Sequence, residues 1–428
     1  MEEVVCTRCK ELELIIIKQQ AQIDELERRL TLYENAHTPP SKKRFPERKN
    51  SSNGKIGAPV GHLGTTREKK EPTERINVEA IQCSHCHDLL NKPFKQERRI
   101  IEEIPDPQPV RVIEFLINHY QCPTCNQITI ATHPSLPKEG NLGNNLQAQI
   151  ALMKYEDRLP HRKIAQTLNR QHELELTPST ILEVTNRVAK KVEPEYNKIK
   201  QVIRNSPNVY SDETGHKVQG KNFWLWGIAI KIAVLFAIRK RRSKEILEEL
   251  LGENYEGIIS CDGWSTYSKY SNNLQRCWAH ILREARYLAE QHESAKLFYQ
   301  DLKEIYQVVN MVSEQDSLEA RQKTYVKCIN QMERLIRRME AYKELSKFAG
   351  KIKNGKEHFF TRILYPFVEA TNNIAERALR EPIVQRKIIG TLRNEKGIRI
   401  TEVLLSVFMT WRMQGLNTYD ELRRALSS

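Results

Sequence analysis

The sequence contains no long apolar run. Its most apolar stretch, Phe223 to Ile238, is interrupted by Lys231 and is shorter than the roughly 20 residues of a membrane-spanning helix. No long apolar segment follows a basic N-terminus, so we expect no secretory signal. These absences exclude membrane-embedded classes of function and predict a cytoplasmic protein with no membrane partner and with reduced cysteines.

Acidic residues are outnumbered. The 54 Asp and Glu stand against 68 Lys and Arg, which gives a net charge of +14. A basic surface that is merely solvated would also account for this excess, but the basic residues cluster locally, which favours nucleic acid as a partner. A hydrophobic fraction of 39% and a charged fraction of 29% are typical of globular chains, and the length leaves room for roughly two to four domains.

Residues 1–37 show a heptad pattern. One core position of the heptad holds Leu12, Gln19, Leu26 and Tyr33. The other holds Ile16, Ile23 and Leu30. The pattern predicts a short coiled coil that pairs two chains, although a helix packed on its own domain would look the same. Residues 38–75 are rich in Pro, Gly, Ser and basic residues and predict a flexible basic linker. The linker either lies along phosphates or is only solvated.

Two CxxC motifs follow the linker. They are Cys83 with Cys86, and Cys122 with Cys125. Four thiolates can hold one structural Zn²⁺, and a reducing compartment disfavours the alternative of disulfides. We therefore predict a DNA-binding zinc ribbon over residues 76–135, with hairpins formed by the strand-like runs Arg99–Ile104 and Val110–Ile117.

Further potential metal ligands lie near these motifs. We expect His85, His87 and His119 to be bystanders, because four cysteines suffice for zinc. A third CxxC, formed by Cys6 and Cys9, is a weak signal by itself. It could hold a zinc ion shared between two chains, and its role stays open.

Residues 140–200 have helical patterns. The predicted helices are Leu146–Tyr155, His161–Asn169 and a third that is capped at Thr177 and runs to about Lys191. A helix, a turn and a capped helix resemble a helix-turn-helix, which would bring Thr180 and Arg187 to DNA. Short helix pairs also occur in cores that bind nothing, and the basic context favours DNA.

From residue 205 to 400 the pattern predicts an α/β domain. The predicted strands are Val209–Ser211, Phe223–Ile230, Ile232–Ile238, Gly257–Cys261 and Leu274–Cys277, with helices at Ser243–Leu251 and Ile281–Glu290. Three strands, a helix and a further strand are the order of an RNase H-like fold. Asp212 would lie on the first strand and Asp262 just after the fourth, where the two would be neighbours.

A third acid, Glu376, comes after a polar, helix-rich segment that predicts a helical insertion at about residues 291–356. Asn373, Glu376 and Arg380 recur at helical spacing and share one face. Alone, Glu376 would be a surface ion pair and the two aspartates would be turn residues. Together, the three acids can form an oxygen cage for Mg²⁺, and two such ions suit phosphoryl transfer. Residues 401–428 predict a helical tail.

Several motifs follow one another in a specific order. They are SDETGHKV, NFWLWGIAI, CDGWSTY, CWAHILREA and NNIAERALR. In this order they resemble the DDE transposases of insertion-sequence family sixty-six, the TnpC-type proteins. NAHTPPSK, GAPVGHLGTTR, the CxxC pairs and RLPHRKIAQTLN resemble further segments of that family, so the resemblance covers nearly the whole chain. One departure is Trp264, where the family often has Tyr, and tryptophan lacks the hydroxyl.

The resemblance implies a catalytic triad of Asp212, Asp262 and Glu376 that uses two Mg²⁺ or Mn²⁺ ions. It also implies that Cys277 and His280 form a Cys-x-x-His element near the scissile phosphate, although the pair could equally brace the core. This pair alone has too few ligands for zinc. Candidates for DNA contact in and after the last motif are Arg377, Arg380, Arg386, Lys387, Arg393 and Lys396.

The resulting expectation is a prokaryotic DNA transposase that cuts at terminal inverted repeats and joins 3′ ends to target DNA. It would act as a homodimer or higher synaptic complex and associate with the nucleoid when bound to DNA. Because relatives are often encoded beside small companion reading frames, accessory proteins are a further expected partner. The alternatives are a non-catalytic zinc-ribbon regulator and an RNase H-like nuclease without strand transfer.

Overall fold

Residues 18–26 form a helix, as the heptad pattern predicts, in a computed structural model that describes residues 15, 16, 18–26 and 71–427. The apolar side chains of this helix are accessible, with Ile23 and Leu26 exposed by 47% and 61%. A second helix would cover such side chains in a coiled coil, which stays a prediction. Cys6, Cys9 and the linker up to residue 70 lie outside the described residues.

The chain divides into two units, residues 1–43 with 109–428, and residues 44–108. The strands predicted at Arg99–Ile104 and Val110–Ile117 are wrong, because neither run forms regular structure. The larger unit instead forms β1 (His119–Gln121) and β2 (Ile128–Ile130), an antiparallel pair that flanks the second CxxC. A strand needs a paired neighbour and a buried face, whereas Ile104 and Val112 are 82% and 92% exposed.

Three helices follow, α1 (Asn144–Tyr155), α2 (His161–His172) and α3 (Pro178–Arg204). All three were predicted, and so was the cap of α3, where Thr177 Oγ1 accepts from the Thr180 N–H at 3.1 Å. The predicted end of α3 is wrong, because the helix has 27 residues and continues through Pro194. Its last turns remain helical because Ile199 and Ile203 are buried in the core that α1–α3 share with the sheet.

The central sheet has five strands in the order β5–β4–β3–β6–β7. These strands are β3 (Asn208–Val218), β4 (Lys221–Ile230), β5 (Ala233–Arg239), β6 (Ile258–Cys261) and β7 (Leu274–Arg276). The first three pair antiparallel, whereas β6 pairs parallel with both β3 and β7. All five predicted strands are confirmed, and the fold is a mixed α/β fold. Gln219 and Gly220, both with positive φ, make the two-residue turn between β3 and β4.

Ten further α-helices belong to the described part of the larger unit. They are α4 (Lys244–Leu251), α5 (Ser265–Tyr270), α6 (Trp278–Gln291), α7 (Ala295–Met311), α8 (Leu318–Glu340), α9 (Ser346–Lys353), α10 (Thr361–Leu364), α11 (Asn373–Ile389), α12 (Glu395–Met413) and α13 (Thr418–Ser427). The predicted insertion is helical, and α7–α9 build a second hydrophobic core with α6. Within the described residues, no helix is both long and apolar enough to cross a membrane. Residue 400, the proposed domain limit, lies inside α12.

Helix α12 covers the outer edge of the sheet with a row of polar side chains. Glu402, Ser406 and Thr410 accept the N–H groups of Ile238, Phe236 and Val234 at 2.7, 2.8 and 3.1 Å. Four helical residues rise about 6 Å, which nearly matches two strand residues at about 6.6 Å. The row therefore satisfies the outward N–H groups of β5 in turn, and the edge is closed to pairing with another chain.

Replacing Ser406 with alanine is expected to destabilise the fold by about 1–3 kcal/mol, because the buried Phe236 N–H loses its acceptor. Urea unfolding of the parent and variant measures this difference. Ser268→Ala removes a hydroxyl from an exposed side chain and serves as the control. If Ser406→Ala unfolds at the same urea concentration as the control, the edge bonds contribute nothing to stability.

Candidate active site

Asp212 and Asp262 lie side by side because their strands are parallel neighbours. Tyr210 of β3 is paired with Ser260 of β6, and each aspartate follows two residues after its paired residue. Asp212 is still within β3, whereas Asp262 comes directly after β6. Parallel register thus brings both carboxylates to the same level of the sheet.

Glu376 joins them from the first turn of α11. This helix packs on β3 and β4, and Gly227, the partner of Asp212 in β4, permits the close approach. A Cβ atom on Gly227 would lie 3.0 Å from Leu379 Cδ2, so a larger residue there would force the Leu379 side chain to shift. A glycine opposite the first acid thus permits close packing of the helix that carries the third.

The three carboxylates are within electrostatic reach of one another. Burial raises the pKa of Asp212 well above its usual range, and the charges of Glu213, Asp262 and Glu376 raise it further. Few hydrogen-bond donors offset the negative charges of these carboxylates. Asp212 accepts from the Glu213 N–H at 2.9 Å, and Asp262 accepts from the Trp264 N–H at 2.8 Å. Glu376 Oε1 is buried without a hydrogen bond. Carboxylate oxygens are the ligands that a hard divalent cation takes.

A second layer of side chains supports the site. The Glu213 side chain is fully buried, and it pairs with Arg242 and accepts a hydrogen bond from the Tyr267 hydroxyl. The Arg242 guanidinium lies over the Trp264 ring at 3.8 Å, and one of its nitrogens is 3.8 Å from Asp262 Oδ2. Trp264, the departure from the family pattern, therefore provides a cation–π contact. Sequence reasoning missed Glu213, Arg242 and Tyr267, although Glu213 belongs to the SDETG motif.

Cys277 and His280 lie beside the third acid. The Cys277 sulfur, a ring nitrogen of His280 and a carboxylate oxygen of Glu376 are all within 4.8 Å of one another. His280 Nδ1 is 3.9 Å from Glu376 Oε1. The pair thus adjoins the carboxylates, and it has a third potential ligand that the spacing of the motifs did not reveal.

Asn372 ties these elements together, and sequence reasoning gave it no role. It is fully buried and is the N-cap residue of α11. Its side-chain amide donates to the Ser211 carbonyl at 2.8 Å, and its backbone N–H donates to the Cys277 sulfur at 3.1 Å. One residue therefore links the strand of Asp212 with the starts of α6 and α11.

The candidate DNA contacts differ in their accessibility. Arg377, Arg380, Lys387, Arg393 and Lys396 are exposed. Lys396 pairs with Glu183 at 2.6 Å, and Arg386 is half-buried and donates to the Gly215 carbonyl. In α3, the Thr180 hydroxyl lies 2.9 Å from Thr177 Oγ1 and Arg187 donates to the Glu139 carbonyl at 3.3 Å.

The two CxxC turns have the same backbone. The Cys83 N–H donates to the carbonyl five residues later at 2.9 Å, and its carbonyl accepts from the N–H four residues later at 3.0 Å; Cys122 repeats both bonds, at 2.9 Å each. His87 and Asn126, four residues after each first cysteine, have left-handed φ of 62° and 57°. Backbone hydrogen bonds lower the pKa of Cys83 and of Cys122. Such turns favour thiolates, and the zinc ribbon stays a prediction.

Asp212→Asn is expected to stabilise the metal-free protein. Because folding raises the pKa of Asp212, its contribution to stability is present below the unfolded pKa and is lost as pH rises through the folded pKa. At about pH 8 the neutral amide should raise the thermal midpoint, by about 2–4 °C for each kcal/mol. The difference should shrink on acidification, and Mg²⁺ should stabilise only the parent.

Calorimetry at about pH 8 and at acidic pH measures the thermal midpoints of the parent and the variant. Asp316→Asn makes the same chemical change at an exposed position and should leave the midpoint where it is. A lower midpoint for Asp212→Asn than for the parent at about pH 8 would contradict an uncompensated charge at this position.

Comparisons with known proteins place this geometry in context. The profile of a family described as "Transposase IS66 family" matches residues 139–400. The protein y4jD of Sinorhizobium fredii, described as uncharacterized, is 25% identical over an alignment of 394 residues that covers 82% of this chain and 76% of the relative. The protein y4hP of the same organism, also uncharacterized, is 22% identical over 408 residues, with 80% and 70% coverage. The matched family region contains the three carboxylates and excludes both CxxC pairs.

Proposed function

The chain belongs to the IS66 transposase family, and from that premise we propose that it cuts DNA at terminal repeats and joins the 3′ ends to target DNA. Membership supports a DNA-processing enzyme that binds DNA and uses divalent metal. The observation that carries the finer proposal is the placement of Asp262 and Glu376 near Asp212, whose pKa their charges raise.

The sheet supports an RNase H-like core. Three antiparallel strands are followed by two parallel ones, in the order β5–β4–β3–β6–β7. The acids lie on β3, directly after β6, and on a helix that packs against β3 and β4. This order matches the strand–helix succession expected of that fold.

Asp212, Asp262 and Glu376 would hold two Mg²⁺ or Mn²⁺ ions. When bound, the ions supply activation of the attacking water or 3′-hydroxyl and stabilisation of the leaving oxygen. The protein's own part is to hold three ionised carboxylates at fixed distances in a site of low dielectric. Arg242 neutralises the buried Glu213, so this fourth carboxylate already has a cationic partner within the protein. No covalent intermediate with the protein is required.

Exposed basic residues would hold the DNA. Arg377, Arg380 and Lys387 lie on α11 together with Glu376, so phosphates bound there would lie along the helix that carries the third acid. The zinc ribbon, the helical segment α1–α3 and the basic linker would recognise terminal repeats. The coiled coil would pair two protomers, so that two DNA ends are processed together, with accessory proteins as further partners.

The proposal is tested with the purified full chain, Mg²⁺ and DNA that carries the repeats flanking its gene. We expect metal-dependent cleavage at the repeat ends and, with precut 3′ ends, joining to a target plasmid. Cleavage without joining would favour a nuclease that lacks strand transfer. Binding without any metal-dependent cleavage would favour a non-catalytic regulator.

A further inference from the structure

Cys277, His280 and Glu376 bring three different ligand types to one point. Cys277 directly precedes α6, His280 lies in the first turn of α6, and Glu376 lies in the first turn of α11. Their sulfur, nitrogen and oxygen atoms are within 4.8 Å of one another. Thiolate and imidazole are ligands for zinc-class ions, whereas Mg²⁺ selects oxygen ligands alone.

The sulfur of Cys277 lies in a buried setting with a backbone donor directed at it. Its side chain is buried, and the backbone N–H of Asn372 donates to it at 3.1 Å. Burial raises the pKa of this thiol to about 11, and the neighbouring backbone N–H groups of Asn372, Ala279 and His280 oppose that rise. A metal ion would displace the thiol proton, and the Asn372 N–H and the start of α6 would then stabilise the bound thiolate, as outer-shell donors do around metal-bound thiolates.

The group also has an open side. A cavity of about 380 Å³ is lined by Cys277 and His280 and by Asp262 and Arg242. Three protein ligands with a fourth position left for water or substrate are the pattern of accessible zinc sites, whereas purely structural zinc sites are closed by four protein ligands. An ion bound here would therefore lie between the helix starts and the cavity that Asp262 lines.

We propose that Cys277, His280 and Glu376 form a binding site for a zinc-class divalent ion, separate in ligand chemistry from the Mg²⁺ site and sharing Glu376 with it. On binding, the Cys277 thiol loses its proton to solvent and a metal–sulfur bond replaces the S–H bond. An ion in this site withdraws Glu376 from Mg²⁺, so zinc inhibits DNA cleavage. The inhibition, but not the binding, rests on the proposed function.

The test is a Co²⁺ titration, in Mg²⁺, of the full-length protein purified without added zinc. Co²⁺ bound to thiolate gives a near-ultraviolet charge-transfer absorption, and each ion bound at this site should release one proton. We expect Cys277→Ser to lose this absorption and His280→Gln to need at least about tenfold more Co²⁺. Cys328→Ser, at a buried cysteine of α8, should behave as the parent does.

Identical Co²⁺ spectra and proton release in the parent and Cys277→Ser would overturn the site. If circular dichroism shows that Cys277→Ser does not fold, the Co²⁺ titration of His280→Gln is compared with that of the parent instead, and identical titrations would overturn the site. DNA cleavage separates this inference from the proposed function. Cleavage in Mg²⁺ without the Cys277-dependent absorption refutes only the zinc site, whereas the absorption without any cleavage refutes only the transposase activity.

Discussion

Asp262→Asn is expected to reduce Mg²⁺-dependent DNA cleavage at least about 100-fold, because even outer-shell partners of metal ligands cost about 10–100-fold. Asparagine keeps nearly the volume of aspartate but removes the charge that faces the cation. Since Asp212 and Asp262 occupy the same level of two paired strands, Asp212 cannot compensate for the loss. DNA affinity should stay within about twofold, because phosphate contacts from basic residues supply most of it.

Single-turnover cleavage of labelled repeat DNA measures the rate, and a gel-shift titration at the same salt concentration measures affinity. Asp316→Asn, on an exposed loop between α7 and α8, is the matched control and should cleave at the parent rate. If Asp262→Asn also cleaves at that rate, the assigned carboxylate site is wrong. Equal losses of binding and cleavage would point instead to a misfolded or DNA-binding-deficient variant.

The sequence predicted the strands of the site well because their apolar runs are short, buried and rich in β-branched and aromatic residues. β5 is nearly all buried, and so is the second half of β4, so their pattern is unambiguous. The neighbouring positions of Asp212 and Asp262 also followed, because an RNase H-like order pairs the first strand with the fourth. Glu376 could be assigned only by resemblance, since its distance along the chain hides the packing of Leu379 against Gly227.

What the sequence could not predict depends on contacts between distant residues. Arg242 meets Glu213 and Trp264 through side-chain geometry that no periodicity encodes. The strand-like runs before β1 fail because propensity without a partner strand does not make a sheet. The predicted end of α3 near Lys191 is too early, because packing of the turns that follow Pro194 overrides the local cost of proline.

Asn372→Ala is expected to slow cleavage by about 100-fold, because a displacement of about 1 Å at reacting groups can have that effect. The amide of Asn372 joins α11 to the carbonyl of Ser211, next to Asp212. Without it, that carbonyl loses a buried donor and the start of α11 is released from β3. Glu376, one turn further along, would then move relative to the two aspartates, and the cation site would widen.

A positioning role predicts more than a lower rate. The Mg²⁺ concentration for half-maximal cleavage should rise about 10–100-fold in Asn372→Ala, and saturating Mg²⁺ should recover part of the rate, which a loss of folded protein would not allow. Asn373→Ala changes the adjacent, exposed asparagine and should leave both quantities as in the parent. If Asn372→Ala lowers thermal stability but leaves the Mg²⁺ requirement of the folded fraction unchanged, Asn372 stabilises the fold without positioning Glu376. If instead the Mg²⁺ requirement rises while the DNA affinity stays unchanged, the distance between α11 and β3 is one of the factors that determine Mg²⁺ binding.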